Sequence, residues 1–142
     1  MTRFVVDASV AVKWFVPEVH SEAAARILDG GHELFAPDLI VAEFGNTLWK
    51  KIRRREISMD EGRRIARGFR SIPLALLPSA NLLEAALEIA HGIDRSVYDS
   101  LYLASAAARK CRLVTADRKL FTAVDRSPFA GRVLWVEECP SK

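Results

Sequence analysis

The sequence predicts an α/β domain with a mainly parallel β-sheet covered by helices on both faces. Two observations predict it. Short β-rich runs alternate along the chain with segments of helical periodicity, the pattern that builds parallel sheets. At 142 residues, half of them apolar and with no internal repeat, low-complexity stretch or linker, one domain over residues 1–142 is expected.

Arg3 to Val6 is a short β-rich run ending at Asp7. Ala8 to Phe15 is helical, with Ser9 placed to cap it and Pro17 to stop it. His20 to Asp29 is a second helix, rich in alanine and closed by Gly30-Gly31. Glu33 to Ala36 is a brief strand, after which Pro37-Asp38 opens a long helix to about Arg54, with Asp38 as its cap or first-turn acid. The apolar stripe of that helix is Ile40, Val41, Phe44, Leu48 and Ile52. Ser58-Met59-Asp60-Glu61 is a capping box that starts a helix to Phe69. Leu74 to Leu77 is a strand, Asn81 to His91 an amphipathic helix, and a further helix begins near Ser96. Arg112 to Thr115 is a strand, Arg118 to Val124 a short helix, and Val133 to Val136 the last strand.

Several classes are set aside early. No stretch approaches the about 20 apolar residues of a membrane helix. The opening Met-Thr-Arg-Phe-Val-Val-Asp meets an acid too soon for a signal peptide. Cys111 and Cys139 have no zinc-type spacing, so reduced thiols in a cytoplasmic protein are expected. His20, His32 and His91 have no ligand-like spacing either. The net charge of +3 is mild, but the cations concentrate in Lys50 to Arg55 and in Arg63, Arg64, Arg67 and Arg70. A solvated helical face accounts for them, and the charge does not by itself imply nucleic acid.

Four acids stand at element ends or faces. Asp7 and Asp117 both lie just past a strand, where open α/β sheets bind ligands. Asp7 can cap the next helix, and beside a buried strand its charge needs a partner such as a metal. Asp117 can cap the helix from Arg118 and serve a metal as well. Asp99 fits a capping box with Ser96, and Glu43 flanks the apolar stripe of its helix with Asn46 one turn on. Tyr98 and Tyr102 are either core residues or platforms for a nucleobase. Converging carboxylates repel unless a cation lies between them. Mg²⁺ or Mn²⁺ suits such hard oxygen donors, leaves room for phosphate oxygens, and activates water without a serine or cysteine nucleophile. Ser9 and Thr115 can position a water or a phosphate oxygen there.

These pieces resemble a PIN domain: Val-Val-Asp7-Ala-Ser9, then Ala36-Pro37 with Glu43-x-x-Asn46-x-Leu48, Tyr98-Asp99-Ser-Leu-Tyr-Leu-Ala, and Leu-Val-Thr115-Ala-Asp117. The chain is most similar to the VapC-like toxins of toxin–antitoxin pairs, over nearly its whole length. The resemblance implies a three-layer α/β/α sandwich and an Mg²⁺- or Mn²⁺-dependent endoribonuclease acting on tRNA or rRNA. It implies a metal-binding quartet of Asp7, Glu43, Asp99 and Asp117, with Ser9, Asn46 and Thr115 in support. It further implies a homodimer and a small VapB-like antitoxin whose tail lies over the active site. Lys50 to Arg55 then gain a role toward RNA phosphates, and Trp14, Phe15 and Trp49 a role toward an antitoxin, with core packing the simpler account of the three aromatics. Asp94 is either an acid supporting the quartet or a solvated loop residue. Two rivals remain: a catalytically silent binding module, and another carboxylate phosphoesterase. The second usually wants Asp-x-Asp after the first strand, where this chain has Ser9.

Overall fold

The computed structural model describes residues 2–140. Five strands make one sheet: β1 Arg3–Val6, β2 Glu33–Pro37, β3 Leu74–Leu77, β4 Arg112–Thr115 and β5 Val133–Trp135. Every pairing is parallel and the spatial order is β3-β2-β1-β4-β5. The chain builds outward from β1 to one edge, then returns to the other side of β1 with β4. The reversal lies between β1 and β4, whose register pairs Val5 with Leu113 and Val6 with Val114. Their carboxyl ends therefore open at the point where α/β sheets form a crevice.

Among the described residues, seven α-helices cover the sheet: α1 Ala8–Ala11, α2 Ser21–Asp29, α3 Leu39–Arg53, α4 Met59–Phe69, α5 Leu83–Ile93, α6 Val97–Ala108 and α7 Arg118–Asp125. Strand alternation divides the core in two. Val5, Ala36 and Leu113 face one layer with Phe44 and Leu48 of α3, Ala86 and Ile89 of α5, and Leu101 and Leu103 of α6. Phe4, Val6, Leu34 and Val114 face the other, with Ala23, Ala24 and Ile27 of α2. Three layers result, as the resemblance implied.

The expected elements form with local departures. The first helix tightens after one turn into a 3-10 segment, Val12–Trp14, and Asp7 rather than Ser9 caps it, accepting from Val10 N at 3.2 Å. Asp38 precedes α3 in helical backbone (φ −62, ψ −17), so its carboxylate is not poised over the first-turn N–H groups as a cap is. It accepts instead from Ser79 N at 3.2 Å and from the Ser79 hydroxyl, tying the start of α3 to the end of β3. Val136–Glu138 is a 3-10 turn, leaving β5 to end at Trp135. The Ser58–Glu61 capping box forms in full. Trp14 and Phe15 pack against the core, with Phe15 edge-on to Phe44, whereas Trp49 is half exposed. Asp94 closes α5 in left-handed backbone and is exposed.

Candidate active site

A concavity of about 490 Å³ lies where the carboxyl ends of β1 and β4 meet α3 and α6. Asp7, Glu43, Asp99 and Asp117 all line it, with Ser9 and Asn46. The chain thus brings together four acids from four separate elements.

Asp7 is nearly buried and held on both oxygens. Oδ1 accepts from Ser9 Oγ at 2.5 Å and from Val10 N, and Oδ2 accepts from Thr115 Oγ1 at 2.5 Å. Burial still wins: it pushes the Asp7 carboxyl up to about 6 against those hydrogen bonds, and the Asp117 charge adds to the rise. Ser9 Oγ also accepts from Ala116 N at 2.9 Å, and Thr115 Oγ1 accepts from Asp117 N at 3.0 Å. Two hydroxyls therefore stitch the end of β1 to the end of β4. Ser9 is not the helix cap the sequence suggested, because its hydroxyl is turned to this junction.

Asp117 caps α7 as expected, its Oδ1 accepting from Lys119 N at 3.0 Å and Leu120 N at 3.2 Å. Its other oxygen has no hydrogen-bond partner among the described residues. Ser96 caps α6 by accepting from Asp99 N at 3.1 Å, but the reciprocal half of that box does not form. The Asp99 carboxylate instead meets Arg95, with Nε at 3.2 Å and Nη2 at 2.9 Å from Oδ2.

Glu43 is oriented by Tyr102 rather than by Asn46. Tyr102 Oη donates to Glu43 Oε1 at 2.5 Å. Burial raises the Glu43 pKa, Tyr102 opposes the rise, and the Asp99 charge adds to it. Tyr102 is itself buried, so its phenol is held firmly neutral by desolvation and by the carboxylate it serves. This role was missed in the sequence; the available signal was that Tyr102 lies three residues from Asp99, on the same helical face. Tyr98 is exposed and lines the cleft, as does Lys50. Elsewhere in the basic run, Lys51 is bound to Glu18 at 2.9 Å, and Arg53 lies over the Trp49 ring.

The donor set fits a hard divalent cation. Its groups are carboxylate oxygens, one of them buried at a cost to its charge, and the charges of Asp117 and Asp99 add to the raised pKa of Asp7 and of Glu43. Among the described residues, no three His, Cys, Asp or Glu side chains are gathered tightly enough to enclose an ion by themselves.

Residues 4–127 match the family model for the PIN domain. The chain belongs to the PIN-domain family. This PIN domain is 34% identical over 122 residues to the ribonuclease VapC3 of Pyrobaculum aerophilum, spanning 83% of the chain and 92% of that relative. Its fold is similar to the crystal structure of PAE2754 from the same organism, with a TM-score of 0.67 at 23% identity over 96% of this chain and 92% of that one. It is also similar to a chain of a toxin–antitoxin complex from Klebsiella pneumoniae, with a TM-score of 0.62 at 12% identity over 94% and 98%. No helix among the described residues of the PIN domain is long and apolar enough to cross a membrane.

Proposed function

We propose that this chain is a divalent-cation-dependent endoribonuclease toxin, a single nuclease domain that acts in the cytoplasm on tRNA or rRNA. One observation carries the reading. Asp7, Glu43, Asp99 and Asp117 share one cleft at the reversal point of a parallel sheet. Kinship with a VapC ribonuclease at 34% identity supports the reaction and the RNA substrate. Likeness to a chain of a toxin–antitoxin complex supports a small antitoxin partner, and we infer a homodimer as the assembly that binds it.

Asp7, Asp99, Asp117 and Glu43 would hold Mg²⁺ or Mn²⁺. Such an ion lowers the pKa of water and stabilises charge developing on phosphorus. The protein's own part is positional. Ser9 and Thr115 hold the Asp7 carboxylate by both oxygens, so that it meets a cation in one orientation. Arg95 steadies Asp99 through a single oxygen, Oδ2. Tyr102 steadies Glu43, whose raised pKa suits a carboxylate that accepts a proton from the attacking water. Asn46 lines the cleft one turn from Glu43, within reach of a substrate oxygen.

The deciding experiment is induction of the wild-type chain and of Asp99→Asn in a bacterial host, paired with cleavage of total RNA with Mg²⁺ and with EDTA. Growth arrest and discrete Mg²⁺-dependent cleavage from the wild type alone are expected. Equal behaviour of the two chains, or indifference to EDTA, would sink the assignment.

A further inference from the structure

The carboxyl ends of β1 and β4 carry the cleft, and the amino ends of the same two strands carry a second concavity, of about 370 Å³. From Arg3 to Asp7, strand β1 spans about 13 Å between the two. Four cations line the second concavity: Arg3, Lys110, Arg112 and Arg132. Three of them stand where adjacent strands begin. Arg3 opens β1, Arg112 opens β4, and Arg132 immediately precedes β5. The register pairs Phe4 with Arg112 and Leu113 with Val133, so the three arginines enter the sheet within one residue of the same level. Lys110 sits in left-handed backbone (φ 54) in the turn from α6 to β4.

The carboxyl end of α6 accounts for Lys110, since cations suit that end of a helix dipole. It does not account for the arginines, because strands have only small net dipoles. Among the described residues, no acid lines the concavity. Arg3 is bound to Glu33 at 3.2 Å, whereas Lys110, Arg112 and Arg132 have no salt bridge among the described residues. Arg132 is steadied by donating to the Cys111 carbonyl at 3.2 Å. The charges converge on the Cys111 side chain as well. Burial pushes that thiol up, and a backbone hydrogen bond with Val5 and the charges of Arg132, Arg3 and Arg109 pull against the rise.

Like charges gathered in this way repel one another, and a bound anion relieves the repulsion. Guanidinium groups meet phosphate oxygens in pairs, and a lysine adds a point charge. A phosphodiester carries one negative charge, too few for three unpaired cations in one small concavity. A condensed phosphate chain carries several. Nothing in the wall reads a base, because Phe4, the one aromatic ring there among the described residues, is 1% exposed.

We propose that this concavity binds a di- or triphosphate group, held by Lys110, Arg112 and Arg132 and recognised through its phosphates alone. The site shares no residue with the cleft, and it stands whether or not the cleft is a nuclease. Inorganic polyphosphate and nucleoside triphosphates both offer the group.

The test uses the full chain in EDTA at low salt, so that no cation in the cleft competes for phosphate. Titration calorimetry follows tripolyphosphate, ATP, orthophosphate and adenosine. Tripolyphosphate and ATP should bind at one site per chain and weaken with added salt, orthophosphate should bind more weakly, and adenosine should not bind. The tighter of the first two names the source of the group. Lys110 and Arg112 are exposed, so Lys110→Gln and Arg112→Gln should leave the melting temperature unchanged. Each should lower the affinity for tripolyphosphate about fivefold. Arg64→Gln, an exposed cation removed from α4, should leave it unaltered. No binding of tripolyphosphate, or wild-type affinity in both Lys110→Gln and Arg112→Gln, overturns the site. So does an equal loss in Arg64→Gln, which would reduce the binding to diffuse surface charge. Binding of ATP without tripolyphosphate overturns recognition through phosphates alone.

Discussion

Tyr102 on α6 donates its phenol hydrogen to Glu43 on α3, across 59 positions of sequence and 2.5 Å of space. One turn earlier on the same helix, Asp99 pushes the Glu43 pKa upward. Helix α6 therefore presents Glu43 with a hydrogen-bond donor and a like charge together, and the balance between them sets the protonation of a half-buried acid.

Tyr102→Phe keeps the ring and removes the donor. Glu43 would lose the one hydrogen bond that opposes its upward shift, so its pKa should rise further. The acidic limb of the kcat/KM profile should move to higher pH, with a loss of about tenfold at neutral pH and about 1–2 kcal/mol of stability. A pH–rate profile checks this, and an unmoved limb would reduce Tyr102 to a packing residue.

Thr115→Val deletes the donor to Asp7 Oδ2 and the acceptor of Asp117 N in one step. The Asp7 carboxylate and Thr115 are buried, so about 1–3 kcal/mol should be lost in urea unfolding. The Asp7 pKa should climb above its present value of about 6, because a hydrogen bond that lowers it is gone.

Asp7 also makes stability depend on pH. Its folded pKa of about 6 lies above the ordinary 3.8, so the folded state holds the proton more tightly. Stability from this group is fully present below pH 3.8 and is lost as pH rises through about 6, by roughly 3 kcal/mol in all. Thermal melts in EDTA should show that fall, and added Mg²⁺ should offset it more near pH 7 than near pH 5. Asp7→Asn should flatten the pH dependence, abolish cleavage and remove the Mg²⁺ effect on melting. A melt in which Mg²⁺ stabilises the variant as well as the wild type would take Asp7 out of the cation's binding set.

Ser58→Ala serves as a control remote from the cleft. It removes the acceptor of Glu61 N, 3.0 Å away, at the start of α4. About 1 kcal/mol of stability should go, with kcat/KM unchanged.

Much of the fold was legible because it rests on neighbours within a turn. The Ser58–Glu61 box and the Asp117 cap involve residues a few positions apart and both form, and the α3 stripe forms at Ile40, Phe44 and Leu48, whereas Val41, expected in it, is 52% exposed. The order of strands and helices followed from the same local periodicities. Assignments of single hydroxyls and carboxylates fared less well. Ser9 turns from its helix to Asp7 and Ala116, and Asp38 to Ser79. In each case a partner from another element competed with the local one and won.

The sequence by itself determined that acids would stand at the ends of two strands and on two helices, since strand and helix patterns place Asp7, Asp117, Glu43 and Asp99 without reference to one another. Only the tertiary structure decided that they share a cleft, and which donor each oxygen meets. The β1–β4 pairing sets Ser9 and Thr115 on Asp7, and the meeting of α3 with α6 sets Tyr102 on Glu43. The physical reason is range. Helix and strand propensities act over a few residues, whereas a buried carboxylate must find its donors among whatever side chains the folded sheet and helices bring within 3 Å.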